Sequence, residues 1–119
     1  MIIAVPTLGD KGLKEQVAEH FGRSVTYTLL DEKGTLIKII ENKGSHHGGG
    51  QYPAEILKSH GVTVLLCKGL GPKALDLCSQ LDIKVYVLEG ETVEKIYFAF
   101  ENSEKKIASH DDVCQEHRT

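Results

Sequence analysis

No stretch of the 119 residues approaches the roughly 20 consecutive apolar positions that a bilayer-spanning helix needs. The opening residues, MIIAVPTLGD, lack both the basic start and the long apolar run of a secretory signal, so a cytoplasmic protein is expected. Basic residues are outnumbered, 14 against 17, and the net charge of −3 leaves no electrostatic footprint for nucleic acid or an anionic membrane. Cysteine is scarce and odd in number. Cys67, Cys78 and Cys114 form no disulfide framework and are expected to be thiols in the cell. No second Cys-x-x-Cys pair completes a zinc site, and no Ser-His-Asp or Cys-His-Asp order suggests a catalytic triad. The first apolar run, IIAVP, carries no carboxylate, which argues against two-metal hydrolysis.

Apolar residues make up 40% of the chain and charged ones 26%, a balance that suits one folded domain with a single core. Residues 2–6 read as a buried strand ended by Pro6. Residues 8–20 are polar, with a short helical turn possible where Val17 and Phe21 stand four apart. The β-branched and aromatic run 25–31, the turn 32–34 and the run 35–41 read as an antiparallel hairpin. A helix is expected over about 52–60, with Pro53 in its first turn and Gly61 at its end. The uninterrupted apolar run 62–67 suits a strand covered on both faces. A helix over 72–81, a strand over 83–88 and an amphipathic helix over 91–102 follow. This order predicts an α/β fold, with a mixed five-stranded sheet, one antiparallel hairpin and helices on both faces. Residues 1–102 form the predicted domain, and 103–119 a polar tail expected to stay outside the core.

Ligands of open α/β sheets bind beyond the carboxyl ends of the parallel strands. Three loops are expected there. One carries His20, Gly22 and Arg23. Another carries His46, His47 and Gly48 to Gly50. The third carries Cys67, Lys68, Gly69 and Gly71. Two of them lead into helix N-termini, where unpaired N–H groups favour anions. Each has an ordinary reading as well: HHGGGQ as a flexible connector, GLGP as the tight turn that starts a helix, Cys67 as a small core residue. Cys78 shares a helical face with Ala74, Leu75 and Leu81 and reads as core. In the tail, Cys114 and His117 stand three apart and could both reach a metal if ordered.

The segments VAEHFGRS, SHHGGG before a helix, and GLGPKALDL after an apolar strand together resemble the nitrogenase iron–molybdenum cofactor biosynthesis family. The resemblance spans roughly residues 1–102, and the His-Phe-Gly turn is its most specific element. It implies a ribonuclease H-like, three-layer α/β/α fold. It also implies a non-catalytic binding or carrier role for an iron–sulfur-type metallocluster, such as the iron–molybdenum cofactor or a precursor. Metallocluster donor and acceptor proteins would then be the partners. His20 is the implied cluster ligand, with His46, His47 and Cys67 as further candidate metal donors, because imidazole and thiolate suit iron–sulfur chemistry. Arg23 would offset cluster charge, and Gly22, Gly48, Gly49, Gly69 and Gly71 would let backbone approach the ligand. The alternative expectation is a regulatory module that binds a small molecule or nucleotide on the glycine-rich loops.

Overall fold

A computed structural model describes residues 1–42 and 53–103. Five strands form one sheet: β1 (Ile2–Thr7), β2 (Thr26–Asp31), β3 (Leu36–Glu41), β4 (Val64–Cys67) and β5 (Lys84–Val87). Three helices join them: α1 (Pro53–Ser59), α2 (Pro72–Gln80) and α3 (Val93–Glu101). The strand order is β3-β2-β1-β4-β5. β1 pairs antiparallel with β2 and parallel with β4, β2 pairs antiparallel with β3, and β4 pairs parallel with β5. The expected mixed sheet is therefore present, and its order is consistent with the ribonuclease H-like arrangement.

Alternation along the strands builds two cores. Leu65 and Cys67 of β4 point to one face, where Ala4, Tyr27, Leu29 and Val85 meet Ala54, Leu57, Leu75 and Cys78 of α1 and α2. Val64 and Leu66 point to the other, where Ile3, Val5, Leu30 and Tyr86 meet Val93, Ile96 and Phe100 of α3. A run that is apolar at every position is what a central strand needs when helices cover both faces. Cys78 has no exposed surface, as its helical spacing predicts. Among the described residues, no helix is long and apolar enough to cross a membrane.

Two local expectations are corrected. β1 does not stop at Pro6 but runs on to Thr7. Its pairing with β4 involves only Ile3 and Ala4, so Pro6 stands where one flank has no strand partner to miss its N–H. The Val17–Phe21 spacing is not one helical face. Val17 forms a bridge with Thr7 and packs in the α3-side core, while Phe21 packs in the opposite core. The chain passes over the end of the sheet between them, so a spacing of four reflects two separate anchors. The turns in this segment are 3-10, at Gly12–Lys14 and Phe21–Arg23.

The β2–β3 hairpin is closed by Asp31, whose Oδ1 accepts hydrogen bonds from Lys33 N at 2.8 Å and Thr35 N at 3.0 Å. Gly34 takes the left-handed conformation there, with φ +84°. Tyr97 of α3 lies against that turn and donates from its hydroxyl to Glu32 O at 2.9 Å. The helix layer thus reaches past the sheet to hold the hairpin turn.

Candidate functional site

The carboxyl ends of β1, β4 and β5, the start of β2 and the end of β3 share one edge of the sheet. The loop after β1 is ordered by a largely buried carboxylate. Glu15 accepts hydrogen bonds from Lys11 N at 3.2 Å and Gln16 N at 2.8 Å. Ala18 N then donates to Pro6 O at 2.9 Å and brings the chain back to the strand end just before His20.

Phe21 fixes the His-Phe-Gly-Arg turn. Its ring is 1% exposed and lies 5.5 Å, centroid to centroid, from the ring of Tyr27. Its carbonyl accepts from Ser24 Oγ at 3.0 Å and from Tyr27 Oη at 3.1 Å, and its N–H donates to Gly69 O at 3.0 Å. Burial pushes the Tyr27 phenol far above its ordinary value, outweighing the lowering by the Ser24 hydrogen bond, so it remains a donor. With Phe21 locked, its neighbours have no choice of place. His20 is half-buried with an extended backbone, and Gly22 and Arg23 are exposed. The motif's pattern is one apolar anchor that presents an imidazole on one side and a guanidinium on the other.

Gly22 requires a correction. A turn of this kind was expected to need its glycine. Its φ is not left-handed, and a Cβ added there would meet no atom of the described residues within 4 Å. The fold places no demand on glycine at this position, and the space beside it is open.

The β4–α2 loop supplies the facing wall. Cys67 is fully buried in the α1–α2 core, beneath the edge, so a ligand could reach its thiol only by opening that floor. Gly69 and Leu70 are buried, and Gly71 is the N-cap of α2, with no side-chain hydrogen bond closing its first turn. Lys68 forms an ion pair with Glu19 at 2.9 Å. The Lys68 side chain is only 17% exposed and that of Glu19 is 76% exposed.

Beside the turn lies an open cleft of about 1050 Å³. Gly22, Arg23 and Ser24 form one wall, Ile39 to Asn42 another, and Gly9 and Asp10 a third. Asn42 ties the walls together. Its N–H donates to Val25 O at 3.1 Å and its Nδ2 to Ser24 O at 2.8 Å. Its Oδ1 is buried and has no hydrogen-bond partner among the described residues. Such orphans are rare in folded proteins.

The structure therefore brings the turn that carries His20 against the Gly69 loop, sets Gly22 and Arg23 on the cleft, and buries Cys67 in the α1–α2 core. His46, His47, Gly48 and Gly49 lie outside the described residues, as do Cys114 and His117. Sequence reasoning passed over Glu19 and Asn42, and named Lys68 only as a member of the β4–α2 loop. Glu19 and Lys68 are 49 positions apart, and no local spacing signals their pairing. Asn42, at the start of a glycine loop, looks like an ordinary turn residue.

Residues 1–103 match the family model described as dinitrogenase iron-molybdenum cofactor. The apo form of the orange protein from Desulfovibrio gigas superposes with a TM-score of 0.79 at 31% identity, covering 91% of this chain and 92% of that one. A Thermotoga protein described as a candidate NifB protein superposes with a TM-score of 0.71 at 30% identity, covering 87% and 89%. An uncharacterized protein from Methanocaldococcus jannaschii is 29% identical over 100 residues, 80% of each chain. With the family model spanning both cores and the edge that carries the His-Phe-Gly-Arg turn, the chain belongs to the dinitrogenase iron-molybdenum cofactor family.

Proposed function

We propose that this protein is a non-catalytic carrier that holds an iron–sulfur-type metallocluster, of the iron–molybdenum cofactor or precursor class, with His20 as a protein ligand. The observation that carries the reading is the Phe21 N–H to Gly69 O hydrogen bond, which sets His20 at the meeting of the β1 and β4 loops. A half-buried imidazole on a turn locked by a core phenylalanine is a preorganised donor: it needs little reordering to bind.

The surroundings support a cluster as cargo rather than a bare ion. Among the described residues, no three His, Cys, Asp or Glu side chains converge to hold a metal ion. A preassembled cluster brings its own sulfides and needs few protein donors, and imidazole suits its iron. Open space beside Gly22, the exposed Arg23 and the uncapped first turn of α2 favour a bulky anion over a small cation. The family's description points to the same class of cargo.

The test is anaerobic titration of the purified protein with a cluster source, followed by absorption spectra and metal analysis. His20→Ala should lower affinity by at least the roughly 10- to 100-fold typical even of altered partners behind a metal ligand. The variant should still fold and unfold cooperatively, because Phe21 and not His20 anchors the turn in the core. Equal affinity in the parent and His20→Ala would remove the ligand role from this residue.

A further inference from the structure

Lys68 and Glu19 form an unequal pair. The Lys68 side chain, just past the end of β4, is only 17% exposed. Its partner carboxylate is 76% exposed and immediately precedes His20. The neighbouring backbone makes the second link between the same two loops, from Phe21 N–H to Gly69 O at 3.0 Å. The ion pair and this hydrogen bond therefore run side by side, and Lys68 is held where the loop that carries His20 meets the loop after β4.

The two halves of the pair have different costs of separation. Glu19 already has most of its side chain in water, so losing its partner leaves a solvated carboxylate and little penalty. Lys68 has already surrendered much of its side-chain freedom to packing, so a new partner does not have to order it again. A buried stem also keeps the charge at one spot when the carboxylate leaves. An ammonium held against the residue that precedes His20 is placed to meet the negative charge of a cluster whose metal the imidazole binds.

Resting on the carrier role proposed above, we propose that Lys68 selects for an anionic cargo: on binding it exchanges the Glu19 carboxylate for the cluster, and Glu19 swings into solvent. Glu19 is then a resting counter-ion that competes with cargo. It is no cargo ligand, and the pair is no mere clamp between loops.

The full-length protein is titrated anaerobically with a synthetic thiolate-ligated four-iron–four-sulfur cluster dianion. Salt is varied over roughly 0.05 to 0.3 M, a range that more than halves the screening length. Lys68→Met keeps the apolar stem and removes the charge. It should bind roughly tenfold more weakly and with a flatter salt dependence, as loss of a contact charge requires. Glu19→Gln should bind about threefold more tightly than the parent, because the competitor for the ammonium is gone. The double variant should match Lys68→Met. Equal affinity and salt dependence in Lys68→Met and the parent would overturn the proposal. So would a Glu19→Gln protein weakened as much as Lys68→Met, since the pair would then only brace the loops. If the parent takes up no cluster, the carrier role fails and this proposal with it. Uptake that is lost in His20→Ala but unmoved in both charge variants defeats this proposal alone.

Discussion

At the scale of single residues, the His-Phe-Gly-Arg turn separates anchoring from presentation. Phe21 supplies all the apolar burial and the two flanking positions supply the chemistry. Gly22 makes this separation testable. Its backbone is of an ordinary kind and its missing side chain leaves open space. Gly22→Ala should therefore keep stability within about 0.5 kcal/mol of the parent by urea unfolding, the range of ordinary surface changes. In the same protein, cluster affinity should fall, because a methyl group would occupy the space a bulky ligand enters. A loss of stability above that range would mean that the turn itself requires glycine.

At the scale of elements, the link between α3 and the β2–β3 hairpin dominates. Gly34 combines two constraints that glycine alone relieves. It has φ +84°, and a Cβ there would stand 2.5 Å from Tyr97 Cε2 and 2.8 Å from Cδ2. Gly34→Ala should destabilise by about 1–3 kcal/mol, the usual cost of a strained backbone position with a close contact. Part of the loss is steric and part conformational, and a second substitution separates them. In a Tyr97→Ser background the ring is gone while the left-handed φ remains, so the cost of Gly34→Ala should shrink without vanishing. Full additivity of the two changes in urea unfolding would show that the ring is not the obstacle. Tyr97 also has its phenol pushed up from the ordinary value, first by burial and then by the carboxylates of Glu101, Asp31 and Glu32. It stays a donor to Glu32 O through the neutral range.

At the scale of the whole molecule, the core places an upper limit on pH. Burial pushes the Cys78 thiol up from its ordinary 9 to about 12, and pushes the Tyr27 phenol up further than that group's usual value. Both groups stay protonated in the folded state where the unfolded chain would release the proton. Their contribution to stability is therefore complete below about pH 9 and is lost as pH rises toward 12. Each such group should add a slope of up to ~1.4 kcal/mol per pH unit in that window. Urea unfolding at a series of pH values from neutral to strongly alkaline checks this. A Cys78→Ala protein, though less stable overall, should show a shallower alkaline decline. An identical decline in both proteins would show that the thiol contributes nothing to it.

Much of the fold was legible from residue order because it rests on local regularities. Alternating and uninterrupted apolar runs specify which strands are edges and which are covered on both faces, and helical spacing put Cys78 in the core before any contact was known. The order of elements then allowed few arrangements of the sheet. The motif VAEHFGRS singled out this turn, and the order of elements put His20 in the segment that follows β1. Three things depended on the tertiary structure, because each joins positions far apart in the chain. Phe21 meets Gly69, and this sets the turn that carries His20 against the loop after β4. Glu19 meets Lys68 across 49 positions, a pairing that charge patterning along one helix or strand never encodes. Val17 and Phe21, four apart, go to opposite cores because the chain crosses the sheet edge between them. Periodicity reports only which side of its own element a residue faces. Where the chain leaves regular structure, the neighbours of each side chain are set by how distant segments pack, and only the folded molecule decides them.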